Sequence, residues 1–207
     1  MIKEENINNS EIDWLKIDEE KELILKVQQG DRLAFNQLMT QYQRQIFNIA
    51  FRIFGDYHLA DETAQDVFIS VFKSIRKFKF NSKFFTWIYR ITINLSRNII
   101  KKNIRDNQRN ISLDEPFSDS DDYFGQRDIP DTSMSADKGI LDKELNEIIQ
   151  CALNSLQQDF REIIILRDIH QLSYGQISQI LLINQGTVKS RLHRARGMLA
   201  DILEEVM

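Results

Sequence analysis

The chain has 207 residues, 42% hydrophobic and 28% charged, a composition that fits a soluble globular protein of one generous or two small domains. No apolar run approaches the roughly 20 residues that cross a bilayer, and the acidic N-terminus, MIKEENINNSEIDWLKIDEE, lacks the apolar segment of a signal peptide, so a cytoplasmic location is expected. The net charge of −4 hides a segregation: acids are missing from residues 67–105 and again from 169–200, so two basic surfaces able to meet polyanions are expected in an acidic chain.

Residues 1–19 are polar and acidic, with a short apolar patch at Ile12, Trp14, Leu15 and Ile17, and are expected to form an extension that is flexible or docks weakly. Gly30 followed by Asp31 marks a helix stop and start, since glycine suits the left-handed residue after a helix and aspartate suits an N-cap. Ala34, Phe35, Leu38, Tyr42, Ile46, Ile49, Ala50 and Ile53 then recur at three- and four-residue spacing, the stripe of one buried helix face. Gly55 and Asp56 make the next turn. A helix follows over about 59–77, with Ala64, Val67, Phe68, Val71, Phe72 and Ile75 on its apolar side, then a loop over 78–83 and a helix over about 84–102. No stretch alternates with period two, so strands are not expected.

The first basic stretch interleaves Phe68, Phe72, Phe78, Phe80, Phe84, Phe85, Trp87 and Tyr89 with lysines and arginines. Rings stack on unpaired bases and cations hold the backbone, so this mixture suits single-stranded DNA better than duplex. Phe68, Phe72 and Trp87 stand at core spacing and are expected to be buried. The loop residues Phe80, Asn81 and Lys83 have no core role to play.

Residues 106–137 carry both prolines, Pro116 and Pro130, several serines and a large excess of acids, and are expected to be a self-repelling linker. Helical periodicity resumes at Ile140. Cys151 is the sole cysteine, which rules out an intrachain disulfide or a Cys-x-x-Cys metal site and, given its apolar neighbours, predicts a small core residue. Three short helices are expected near 158–168, 174–182 and 186–203.

The last two form a helix-turn-helix pattern in LSYGQISQILLINQGTVKSRLHRARGML. Ser173 is the expected N-cap of the first helix, with Tyr174, Ile177 and Leu181 inward, and Ile183 and Asn184 form the turn. In the second helix Val188, Leu192, Ala195 and Leu199 share one face, so Gly186, Ser190, His193, Arg194 and Gly197 share the other. Small and polar residues there suit the major groove, with base readout expected from Lys189, Ser190, His193 and Arg194 and phosphate contacts from Arg191 and Arg196.

The run LRDIHQLSYGQISQILLINQGTVKSRLHRAR resembles region 4 of sigma-70 family sigma factors, especially the extracytoplasmic-function (ECF) group, with GTVKSRLHRAR its most specific part. The sequence departs from the family pattern at Leu182, where relatives often have glycine, and at Asn184 and Gln185. The run ADETAQDVFISVFKSIRKFKFNSKFFTWIYRITINLSRN resembles sigma region 2. The resemblance implies an all-α protein with a flexible N-terminal extension (1–19), region 2 (20–105), an acidic linker (106–137) and region 4 (138–207). It further implies that Asp61, Glu62, Gln65, Asp66 and Ile69 face RNA polymerase. The loop with Phe80, Asn81 and Lys83 would hold a flipped base of the minus-10 element, with Arg90 and Arg97 on the backbone, and the last helix would read the minus-35 element. Core RNA polymerase and promoter DNA are the implied partners, with an anti-sigma factor as a restraint common in the group. No catalytic residue, metal, cofactor or small-molecule substrate is implied. The linker is expected to thread past the polymerase active centre. A stand-alone helix-turn-helix regulator is the competing reading, but it leaves the aromatic basic segment without a purpose. A DNA recombinase would require a strand-bearing catalytic domain, for which there is no pattern.

Overall fold

A computed structural model describes residues 9–110 and 136–206, and all regular structure among them is helical. The N-terminal half comprises α1 (Asn9–Gln28), α2 (Arg32–Phe54), α3 (Tyr57–Ser74), a 3-10 turn (Ile75–Lys77) and α4 (Phe84–Asn110). The C-terminal half comprises α5 (Ala136–Ser155), α6 (Gln158–Ile164) running into a π-helical turn (Ile165–Ile169), α7 (Tyr174–Leu181) and α8 (Gln185–Val206). Most of the acidic linker lies outside the described residues.

The boundaries follow from local chemistry. Gly30 takes φ of 100°, and the Asp31 carboxylate accepts the backbone N–H groups of Leu33 (2.8 Å) and Ala34 (3.1 Å), ending one helix and opening the next. Gly55 (φ 70°) donates to Phe51 O, and Asp56 accepts from Leu59 N at 2.7 Å. Helix α1 reaches back to Asn9, into the stretch expected to be a flexible extension; no glycine or proline interrupts it.

The expected stripes form the core. Ala34, Leu38, Ile46, Ile49, Ala50 and Ile53 of α2 are buried against Ala64, Val67 and Val71 of α3 and Phe84, Ile88 and Ile93 of α4. Two expectations fail. Phe72 is 53% exposed: the buried line of α3 runs Ala60, Ala64, Val67, Val71, and the next residue is turned 100° away, its ring meeting Phe35 edge-on at 5.1 Å. Cys151 is exposed, because Ile149, Ala152, Leu153 and Leu156 define the inward face of α5 and residue 151 lies opposite.

The two halves share one continuous core, with α7 against α4 and with α5 and α6 against the end of α2. Arg161 staples the helix ends. Its Nη1 donates to Ile53 O (2.5 Å) at the end of α2, and its Nη2 to Asn154 O (2.5 Å) and Leu156 O (3.1 Å) at the end of α5. A cation is thus set against carbonyls that have no partner within their own helices. Arg52 Nη2 donates to Asn146 Oδ1 (2.7 Å), and Gln150 Nε2 to Arg52 O (3.2 Å).

Candidate nucleic-acid interface

Helix α7 opens with a capping box: Ser173 Oγ accepts from Gln176 N (3.3 Å) and Gln176 Oε1 accepts from Ser173 N (2.7 Å). It closes at Leu182, which holds the left-handed conformation (φ 57°, ψ 42°) that glycine adopts without steric cost. Ser178 Oγ fixes the turn by donating to Ile183 O (2.5 Å). Asn184 then caps α8, its Oδ1 accepting from Thr187 N (2.7 Å) and Thr187 Oγ1 (2.9 Å).

With that turn set, Val188, Leu192 and Ala195 of α8 are buried, each at 2% exposure or less. Lys189, Ser190, His193 and Arg194 lie exposed beside Gly186 and Gly197, the surface expected from helical spacing. At Gly197 an added Cβ would meet nothing within 4 Å, so the face is open. The two expected phosphate contacts are both paired. Arg191 Nη1 meets Asp159 Oδ2 at 2.8 Å, and Arg196 Nε donates to Asp168 Oδ2 at 3.0 Å. That hydrogen bond holds the Arg196 proton more tightly than usual.

The second surface is the loop between the 3-10 turn and α4. Phe78 is buried at its base, with Phe80, Phe84 and Trp87 rings 5.0, 5.5 and 5.2 Å away. On this aromatic footing Phe80 (38% exposed, φ 57°), Asn81 and Lys83 face outward. A non-glycine residue at positive φ is strained, and such strain clusters at functional loops. From α1, Gln28 Nε2 donates to both Ile75 O (2.9 Å) and Phe78 O (2.8 Å), tying the loop down. No sequence signal marks Gln28.

Arg90 and Arg97 lie two turns apart on α4, the same face. The Arg90 Nε atom is buried without a hydrogen-bond partner. Arg97 is turned away from the loop and onto α6: Nε donates to Glu162 Oε1 at 2.9 Å and Nη2 to Oε2 at 2.5 Å. These bonds raise the Arg97 pKa despite burial.

On α3, Asp61, Glu62, Gln65, Asp66 and Ile69 are all exposed on adjoining turns, with Gln65 Nε2 donating to Asp61 Oδ2 at 2.9 Å. Ile69 is 50% exposed beside the equally exposed Phe72, which spacing alone assigned to the core. The outward face of α3 is therefore acidic at one end and apolar at the other.

Known proteins share this architecture. Residues 38–109 match Sigma-70 region 2 and residues 146–199 match Sigma-70, region 4. The ECF RNA polymerase sigma factor SigW of Bacillus subtilis is 32% identical over 186 residues, covering 90% of this chain and 97% of its own length. The ECF RNA polymerase sigma-E factor of Haemophilus influenzae is 32% identical over 187 residues, covering 89% and 95%. Among solved structures, CnrH in complex with the cytosolic domain of CnrY has the same fold, with a TM-score of 0.64 at 22% identity, covering 91% of this chain and 99% of that one. With two regions matched in order and close to full-length coverage by relatives, the chain belongs to the ECF group of the sigma-70 family of RNA polymerase sigma factors.

Proposed function

We propose that this sigma factor directs core RNA polymerase to promoters by reading the minus-35 element with α8 and capturing an unpaired minus-10 base in the loop after the 3-10 turn. The observation that carries this reading is the exposed face of α8, where Lys189, Ser190, His193 and Arg194 stand clear of the core beside two glycines. Such a face fits the major groove, with cations at its edges for phosphates. Asn81 is the residue assigned to the flipped base, with Phe80 and Lys83 beside it and Arg90 and Arg97 on the backbone. Stacking of about 1–3 kcal/mol per base offsets an unstacking cost of a few kcal/mol.

Asp61, Glu62, Gln65, Asp66 and Ile69 are assigned to the polymerase, which performs the phosphodiester chemistry, and Phe72 extends that apolar end. Two weak modules held at fixed spacing gain effective concentration without any new contact. The reading places the chain in the cytoplasm with the polymerase; among the described residues no helix is long and apolar enough to cross a membrane. An anti-sigma protein is a further expected partner, as NepR is for the Bartonella quintana sigma factor RpoE.

Transcription by purified core polymerase on a genomic fragment library, with and without the chain, tests the reading. New start sites sharing two spaced elements are expected. A chain that fails to bind core polymerase, yet grips a duplex tightly by itself, would instead be a stand-alone regulator.

A further inference from the structure

Helix α4 runs past the core it helps to build. Phe84, Ile88, Ile93 and Ser96 are buried, whereas every residue from Lys101 to Asp106 is exposed. At 100° per residue Trp87, Asn94, Asn98, Lys101 and Arg105 fall within about 60° of one another, opposite the buried side. This stripe begins at the aromatic footing of the loop and continues beyond the core, where Lys101, Ile104, Arg105 and Gln108 line one shallow groove. No acid occurs from residue 67 to residue 105, and Asp106 is turned about 100° from Arg105. Arg97 is held by Glu162, but among the described residues no acid pairs with Lys101 or Arg105. These two cations stand four positions apart, a like-charge spacing that disfavours a helix standing alone and favours one laid against a polyanion.

We propose that Asn94, Asn98, Lys101 and Arg105 form a track for the sugar-phosphate backbone of duplex DNA in the spacer, just upstream of the minus-10 element. The inference rests on the reading of the loop as the minus-10 site and extends it. The loop stands at the start of α4, and the DNA downstream of a trapped base is unpaired. Duplex within reach of the far end of the helix therefore lies upstream, between the two elements. From Asn94 to Arg105 the helix rises about 16 Å at about 1.5 Å per residue, close to half a turn of B-DNA. Lys101 and Arg105 neutralise phosphates, and the asparagine amides donate to phosphate oxygens. Such contacts position the duplex without reading its sequence.

The test uses holoenzyme assembled from core polymerase and the full chain, wild type or with Lys101→Gln and Arg105→Gln together. It is titrated over a range of salt on a promoter recovered by transcription, and on the same promoter with uncharged methylphosphonate linkages in the spacer beside the minus-10 element. Glutamine keeps a helix propensity close to that of lysine and arginine, so the fold is retained. Lys21→Gln with Lys26→Gln, two exposed lysines of α1, controls for net charge. The track predicts roughly tenfold weaker binding by the double variant at physiological salt and a salt slope smaller by about two. The loss persists when the spacer sequence is changed. Methylphosphonates weaken wild type and the control but add nothing to the loss in the double variant. An unchanged slope, or a methylphosphonate penalty of equal size in wild type and double variant, overturns the track and leaves the promoter reading intact. Tighter binding by the double variant also overturns it and assigns the stripe to an acidic segment of this chain. Wild-type holoenzyme that yields no start sites sharing two spaced elements overturns the promoter reading and the track with it.

Discussion

Arg194 and Arg196 sit two residues apart on α8 yet face different surroundings: Arg194 is exposed on the open face, whereas Arg196 is bonded to Asp168 of the π-helical turn. Replacing Arg194 with Ala should cost about 1–3 kcal/mol of promoter affinity and relax selection at one base pair, while Arg196→Ala should weaken all sequences alike and reduce the salt slope by about one. Binding titrations against single-base promoter variants at two salt concentrations separate the two, and matching profiles would overturn the face assignment. Asn81→Ala should leave polymerase binding within twofold and impair strand opening, read by permanganate reactivity of thymines; unimpaired opening would remove Asn81 from the base-trapping role. The face of α8 was legible in the sequence because helical spacing fixes it from its buried residues alone. What each cation touches was not, because Arg196 and Asp168 are 28 positions apart and are brought together only by the packing of the π turn on α8.

Helix caps and turns were equally readable, since Asp31, Asp56 and Ser173 act on backbone groups two or three residues away. The sequence also marked the turn between α7 and α8 as unusual at Leu182. That residue occupies a left-handed conformation costing about 1–2 kcal/mol for an L side chain, and its side chain is 69% exposed with little packing to lose. Leu182→Gly should therefore stabilise the chain by about 1 kcal/mol, after the greater unfolded-state entropy of glycine is deducted. Chemical denaturation with an unchanged m-value checks it, and a loss of stability would mean that the leucine makes a contact worth more than its strain. Phe72 and Cys151 were misread at this scale because a run of neighbouring apolar residues does not say which of them lie at the edge of a stripe.

Across the whole molecule, the joining of the halves was invisible in the sequence. It depends on pairs such as Arg97 with Glu162, 65 positions apart, and Arg161 with the Ile53 carbonyl, 108 apart. His170 lies in this joint, its ring 5.7 Å from that of Tyr89 on α4. Burial, and then the nearby Arg52 charge, hold its pKa below the usual 6.5. The folded structure thus favours neutral imidazole, so stability is greatest above pH 6.5 and declines as pH falls from there toward the lowered value. A lower melting temperature at pH 5.5 than at pH 7.5 is expected, and His170→Gln should shrink that difference; an unaltered difference would place the titrating group elsewhere.

The double hydrogen bond from Gln28 has a consequence for the energetics of melting. A surface loop free to wander would forfeit configurational entropy each time it seized a nucleotide, and that loss would come directly out of the capture energy. By bracing the carbonyls of Ile75 and Phe78, the first helix would have the proposed cradle already shaped before DNA arrives. If that loop traps a base as proposed, helix α1 would act as a strut that lowers the threshold for bubble formation.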